Sequence, residues 1–334
     1  MSRTENPTEP RRSLLPPPPA EGADGLYSQT WFPVCLSADL AAGRPLGSDL
    51  LGGRVVAFRG AGGTARVVSA YCVHVGADLS VGSVVDGQLR CRFHQWTYDE
   101  QGVCTATGIG DPVPAGARLF SFPTVERYGV VWAFNGVEPL FELPELRCAQ
   151  EDLVLRTMAF PHALDSDPWV ITAQTMDLQH FSQQHDFELL QEPGSTLSAT
   201  PYSIGWQLKG RTRDGEIYDA RTEIVGNNIY WQNGEIDGRW FFWVTGISVV
   251  RPQRCTSVFA YGTDRQPGED DQAAQQFLDR AAGMMMALLE DDAPVLQSIH
   301  FRPGLLTESD GALDQFIDYL RKFPRANPSA DFIV

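Results

Sequence analysis

Two short loops constrain this chain most: Cys72-Val73-His74 and, 16 residues further on, Cys91-Arg92-Phe93-His94. Each loop carries one thiol and one imidazole. A [2Fe–2S] cluster in which two histidines replace two cysteines on one iron needs that set, two ligands per iron. Two mixed loops can clamp such a pair from opposite sides. Zinc is the alternative, because it also accepts S and N donors in a tetrahedron. Zinc fingers, however, group Cys with Cys and His with His, so the cluster is the favoured reading.

With these residues in place, the chain resembles the Rieske family. The pattern Cys-x-His-(x)16-Cys-x-x-His is accompanied by Gly76 and Leu79 after the first loop and by Trp96 and Tyr98 after the second. Gln95 departs from the glycine that the family usually has after the second histidine. Respiratory members carry an extra cysteine in each loop, joined as a disulfide; Val75, Gly76, Ala77 and Gln95 offer none. The resemblance is therefore to the oxygenase and ferredoxin branch, and it implies that Cys72, His74, Cys91 and His94 hold a [2Fe–2S] cluster.

Length separates oxygenase from ferredoxin. A Rieske module needs only about 100–130 residues, and 334 residues is a prior for two domains. The composition, 43% hydrophobic with 8 Trp and 18 Phe, supplies core for both. A net charge of −16 argues against nucleic acid or an anionic membrane as partner. No apolar run approaches a membrane span. Arg11-Arg12 is followed by Leu14-Leu15 and then four prolines, so no signal h-region is expected. Cys35, Cys104, Cys148 and Cys255 are scattered and read as free thiols. A cytoplasmic location is the expectation.

Residues 1–25 are rich in Pro, Glu and Arg and read as a disordered tail. From Tyr27 to about Asn135, short β segments such as Gly53–Phe58, Ala65–Tyr71, Gln88–Arg92 and Tyr128–Phe134 alternate with glycine turns. An all-β domain over residues 26–137 is expected, then a linker, Gly136–Glu151. Residues 150–334 mix β-rich stretches (Leu197–Lys209, Glu216–Trp231, Arg239–Val250, Thr256–Tyr261) with helices at about Asp270–Asp292 and Leu313–Phe323. This predicts an α+β domain, an antiparallel sheet flanked by helices.

A second cluster of potential ligands starts at Asp177, in Met176-Asp177-Leu178-Gln179-His180-Phe181-Ser182-Gln183-Gln184-His185. Two histidines and one carboxylate on one face of an iron leave three positions open, the arrangement of non-haem Fe(II) oxygenases. His180 and His185 lie five apart, about 140° round an ideal helix. Both reach one metal only if the helix ends or bulges between them. Asp177 and His180, three apart, share a face.

The segment is similar to the Asn-x-x-Asp-x-x-His-(x)4-His motif of Rieske non-haem iron oxygenases, nearest to the branch with vanillate demethylase and dicamba monooxygenase. The resemblance makes His180 and His185 iron ligands. It makes Asp177 the carboxylate joining a Rieske histidine of a neighbouring subunit to His180. The asparagine position is Gln174 here, a departure. The third ligand is sought in Glu290-Asp291-Asp292, where acidic charge meets the negative end of a helix dipole. Asp292 continues the apolar stripe Phe277, Ala281, Met285, Leu288, whereas Asp291 shares a face with Arg280, Met284 and Ala287. In the resembled family the aspartate is followed three and four residues later by apolar side chains, as Asp292 is by Val295 and Leu296. Asp292 is favoured and Asp291 is the fallback.

The resemblance implies a head-to-tail homotrimer, a separate reductase or ferredoxin, Fe(II), O2 as co-substrate, and monooxygenation of a small, mostly apolar ring compound. No Gly-x-Gly-x-x-Gly nucleotide fingerprint occurs, so the reductase must be another protein. No Arg cluster or phosphate cradle is visible in the catalytic segment, which argues against a strongly anionic substrate. Ring dioxygenation is one alternative; a non-catalytic electron carrier or redox sensor is another. His162 and His300 read as structural. Tyr230, Trp231, Trp240, Phe241, Phe242 and Trp243 read as core, with one face free to line a pocket. Arg90 and Arg92, flanking Cys91, could attract an acidic electron donor.

Overall fold

The computed structural model describes residues 16–149, 151–190, 197–301 and 306–334. In the N-terminal half, Leu46–Leu50, Gly53–Arg59, Ala65–Ser69 and Ser121–Phe122 make one antiparallel sheet. Thr124–Arg127, Val130–Phe134 and Trp31–Leu36 make a second, with Val130–Phe134 in the middle. Phe32, Leu50, Val55, Val67 and Val131 form the core between them. Between Ala65–Ser69 and Ser121–Phe122 the chain builds a third sheet from Ser83–Val85, Gln88–Arg90, Thr97–Tyr98 and Cys104–Ala106. Its own core of Val56, Phe58, Leu79, Leu89 and Tyr98 includes Cys72 and Cys91.

The C-terminal half is one large antiparallel sheet in the order Leu153–Ala159, Arg254–Asp264, Arg239–Arg251, Ile229–Ile236, Ile217–Val225, Ser203–Arg211, Glu188–Leu189. Four helices flank it: α1 (Pro168–Ala173), α2 (Leu178–Gln184), α3 (Asp271–Leu296) and α4 (Gly311–Lys322). The chain is α+β, as the sequence predicts. The expected single β stretch Glu216–Trp231 is two strands, because Gly226 takes a left-handed φ of 64° and turns the chain back at Asn227-Asn228. Helix α3 also outruns its expected end at Asp292. It continues through Pro294, whose missing N–H leaves the Glu290 carbonyl without its helical donor.

Period-two alternation along the strands sorts the aromatic residues. Trp231, Trp240 and Phe242 pack against Trp31, Tyr128, Trp132 and Phe134 of the N-terminal half. Phe241, Trp243, Phe259 and Tyr261 face the other way, under Phe277, Ala281 and Met285 of α3. Both readings of the aromatic run therefore hold, one for each face. Gly246 permits the close approach of the two halves: a Cβ there would stand 2.5 Å from the Trp132 ring.

Residues 16–25 correct the expected disordered tail. The Pro16, Pro19 and Ala20 carbonyls accept hydrogen bonds from Arg321 and Arg325. Glu21 is 2% exposed and accepts from the Ser28 amide, the Ser28 hydroxyl and Asn227 Nδ2. Composition reads the segment as unable to bury anything, yet one carboxylate with three donors anchors it. Residues 1–15 lie outside the described residues. The stretch read as a linker, Gly136–Glu151, has neither helix nor strand among its described residues, although Leu143 is buried between the two halves beside Phe141.

Candidate metal centres

The two Cys-His loops have the same backbone construction. In the first, Cys72 N–H donates to Ala77 O and Gly76 N–H returns to Cys72 O, at 2.9 and 2.8 Å. In the second, Cys91 N–H donates to Trp96 O and Gln95 N–H returns to Cys91 O, at 2.8 and 3.1 Å. Both cysteines are buried, while both histidines are exposed at the tip. Their rings lie 4.6 Å apart, centroid to centroid, at 71°, and Trp96 stacks on His74 at 4.6 Å.

Tyr98 reaches under the first loop. Its hydroxyl lies 3.0 Å from Cys72 Sγ and accepts from Val73 N–H. Burial and the neighbouring Cys72 push the Tyr98 hydroxyl far above its ordinary value, so it stays an O–H donor. The sequence placed Tyr98 beside the motif but gave it no role. Cys35, Cys104, Cys148 and Cys255 are free thiols, and neither Cys72 nor Cys91 is in a disulfide.

The second site forms where α2 stops. Asp177 caps the helix, accepting from His180 N–H at 3.0 Å. The helix ends at Gln184, and His185 leaves helical geometry at φ −110°, ψ 5°. That ending brings both imidazoles together: their Nε2 atoms are 2.9 Å apart. Asp292, 3% exposed on the inner face of α3, completes the group. Its Oδ1 lies 3.1 Å from His185 Nε2 and 3.3 Å from His180 Nε2. Asp291 is exposed and stays outside.

The donor set fits a metal ion better than it fits itself. Asp292 Oδ1 is buried and near both rings but has hydrogen-bond geometry with neither. Three atoms each about 2.1 Å from a common ion, at right angles as on a facial triad, lie about 3.0 Å from one another, close to the 2.9, 3.1 and 3.3 Å found. Burial pushes the Asp292 carboxyl up, but the two rings outweigh it and hold it below the ordinary carboxylate value. Among the described residues, this trio is the group whose ligand atoms are close enough to share one ion.

A small space at the trio, lined by Tyr230, Trp243 and Met285, adjoins a cavity of ≈ 470 Å³. His185, Phe181, Tyr230, Met285 and Leu288 line both. Arg213 and Arg280 line the larger cavity with Asp214 and Glu216, so its cations are matched by acids. Gln174 lines the space at the trio, and its Oε1 is buried without a partner among the described residues. His162 and His300 are exposed. Arg92 is exposed beside the cluster loops and Arg90 is half-buried.

Residues 30–122 match the family described as the Rieske [2Fe-2S] domain. Residues 30–122 are therefore a Rieske [2Fe–2S] domain, and the chain as a whole shares its fold with the solved structures named below. It is 40% identical to the aminopyrrolnitrin oxygenase PrnD of Pseudomonas fluorescens over 144 residues, 41% of this chain and 39% of that protein. It is 23% identical to the oxygenase component of the 3-ketosteroid-9-alpha-monooxygenase of Rhodococcus rhodochrous, over 91% of this chain and 83% of that one. Its match to the first of these relatives spans well under half of that protein's length. In structure it is similar to NdmB of Pseudomonas putida CBB5, with a TM-score of 0.70 at 19% identity, covering 88% of this chain and 90% of that one. Dicamba monooxygenase bound to dicamba gives 0.65 at 20%, covering 88% and 97%. The Rieske domain implies a [2Fe–2S] cluster, and the buried-Cys, exposed-His loops suit it.

Proposed function

We propose that this chain is the terminal oxygenase of a multicomponent system that hydroxylates or oxidatively dealkylates a cyclic, mostly apolar compound. The observation that carries the proposal is the convergence of His180, His185 and Asp292 in a chain that also holds a Rieske domain. When bound, the cluster relays single electrons and the mononuclear Fe(II) activates O2. Cys72 and Cys91 would hold the inner iron and His74 and His94 the outer. His180, His185 and Asp292 would supply one face of ligands.

The chain's own residues supply the rest. Phe181, Met285 and Leu288 give the cavity beside the trio an apolar wall that limits water. Asp177, fixed at the head of α2 by the His180 backbone N–H, would accept hydrogen bonds from the His180 ring and from His94 of a neighbouring subunit, in a ring closed head-to-tail. Electrons would come from a separate reductase or ferredoxin. A ring substrate is supported by the cavity and by relatives named for 3-ketosteroid, dicamba and aminopyrrolnitrin.

Iron content and oxygen consumption test this. Three irons per chain, and substrate-stimulated uptake of O2 with a surrogate reductase, are expected. Two irons and no uptake would make the chain an electron carrier. Labelled O2 should deliver one atom to the product; delivery of both would make it a dioxygenase.

A further inference from the structure

Helix α3 carries near its middle a glycine that the fold does not require. Gly283 has no positive φ, and a Cβ built on it would meet nothing within 4 Å beyond the local helix. Neither backbone nor packing among the described residues therefore excludes a larger residue. Glycine is, moreover, among the poorest formers of a helix interior. Gly283 is exposed, and its missing side chain leaves a stretch of α3 bare at the wall of the ≈ 470 Å³ cavity.

The cavity follows the helix. Arg280, Gly283, Met284, Ala287 and Leu288 line it on successive turns, and Leu288, Leu289 and Asp292 continue along the space at the trio. At about 1.5 Å per residue, Arg280 stands about 18 Å from Asp292 along the axis and Gly283 about 13 Å from it. The two ends differ. Phe181, His185 and Tyr230 line both spaces, which puts them at the end nearest the trio. At the other end Glu216 feels the charge of Arg280, with Arg213 and Asp214 beside it in sequence and on the same lining. We infer that Gly283 is a specificity-determining residue: it leaves α3 bare so that an elongated apolar ligand of several fused rings lies along the helix, one end at the trio and the other against position 283. One or two rings at the trio do not extend that far. The inference rests on the oxygenase reading only in calling that ligand the substrate.

Two probes of different length test this: progesterone, a four-ring steroid, and indole, a short ring pair. Binding is measured by calorimetry on the full iron-loaded chain, without reductase and without O2. Both should bind the wild type and displace each other. In Gly283→Leu, with the cluster spectrum retained, progesterone should lose about ten-fold or more in affinity, the size of an overpacking clash. Indole should change by less than about two-fold, because its place at the trio is too far from position 283 to couple. Failure of either probe to bind the wild type, binding without competition, equal losses for both, or no loss of progesterone in the folded variant would each overturn the inference. If Gly283→Leu does not fold, Gly283→Ala takes its place, with a loss of about three-fold for progesterone and none for indole. A chain that shows the selective loss but consumes no O2 with any reductase keeps this inference and loses the oxygenase reading; the converse loses only the inference.

Discussion

Gln95 holds in the second cluster loop the position that Gly76 holds in the first: each is four residues after its cysteine, donates its N–H to that cysteine's carbonyl, and has a left-handed φ, 59° for Gln95 and 79° for Gly76. The turn demands that conformation. Glycine adopts it without strain, whereas a residue with a Cβ pays about 1–2 kcal/mol. In return, Gln95 Nε2 makes one exposed hydrogen bond among the described residues, to the Arg92 carbonyl at 3.3 Å.

Gln95→Gly should therefore stabilise the loop by about 1 kcal/mol, after the greater freedom of glycine in the unfolded chain is deducted. Loss of cluster absorbance on heating should shift to higher temperature. An unchanged or lower midpoint would show that the glutamine side chain does more for the loop than its one contact indicates.

Asp292→Ala should lose mononuclear iron and keep the cluster's spectrum, with activity down by about 100-fold or more. Removing the anionic arm leaves two neutral imidazoles, a much weaker chelate. Asp291→Ala should keep both centres, because Asp291 is exposed. Iron analysis beside visible spectra reads both outcomes, and the reverse pattern would move the ligand to Asp291.

Asp177→Asn separates two duties of one side chain. Asparagine caps helices as well as aspartate does, so α2 and both metal contents should survive. The anionic bridge is lost, and turnover should slow about 10–100-fold. Asp177→Ala should cost about 1 kcal/mol of stability in addition. Loss of mononuclear iron in the Asn variant would make Asp177 a ligand instead. The bridge also requires the ring: sedimentation should give a trimer, and a monomer fully active with its reductase would refute the inter-subunit route.

Stability should fall as pH rises through about 6 because of Asp167. Burial pushes its carboxyl up to about 6, against the hydrogen bond from the Glu21 N–H. The folded state therefore holds a proton that the unfolded chain releases near pH 4. The stabilisation is complete below pH 4 and is lost as pH climbs through 6. Asp167→Asn stays neutral and keeps an oxygen for the Glu21 N–H, which now donates to Asp167 Oδ1 at 3.2 Å. Its thermal midpoint relative to wild type should rise between pH 5 and pH 7.5; parallel pH profiles would count against this.

Short spacing carries everything that is legible in the chain alone. The Cys72/His74 and Cys91/His94 loops, the need for a helix to end between His180 and His185, and the apolar stripe that carries Asp292 inward all follow from a few residues and one period. Partners distant in sequence are not encoded that way. Only the folded sheet and α3 bring Asp292 to histidines more than 100 residues away, and only strand register sends Trp231 to the Rieske half and Tyr230 to the cavity. The order of residues 16–25 is hidden from composition for the same reason. Composition averages over a segment, whereas the fold is decided there by Glu21, whose Asn227 partner lies 206 residues away.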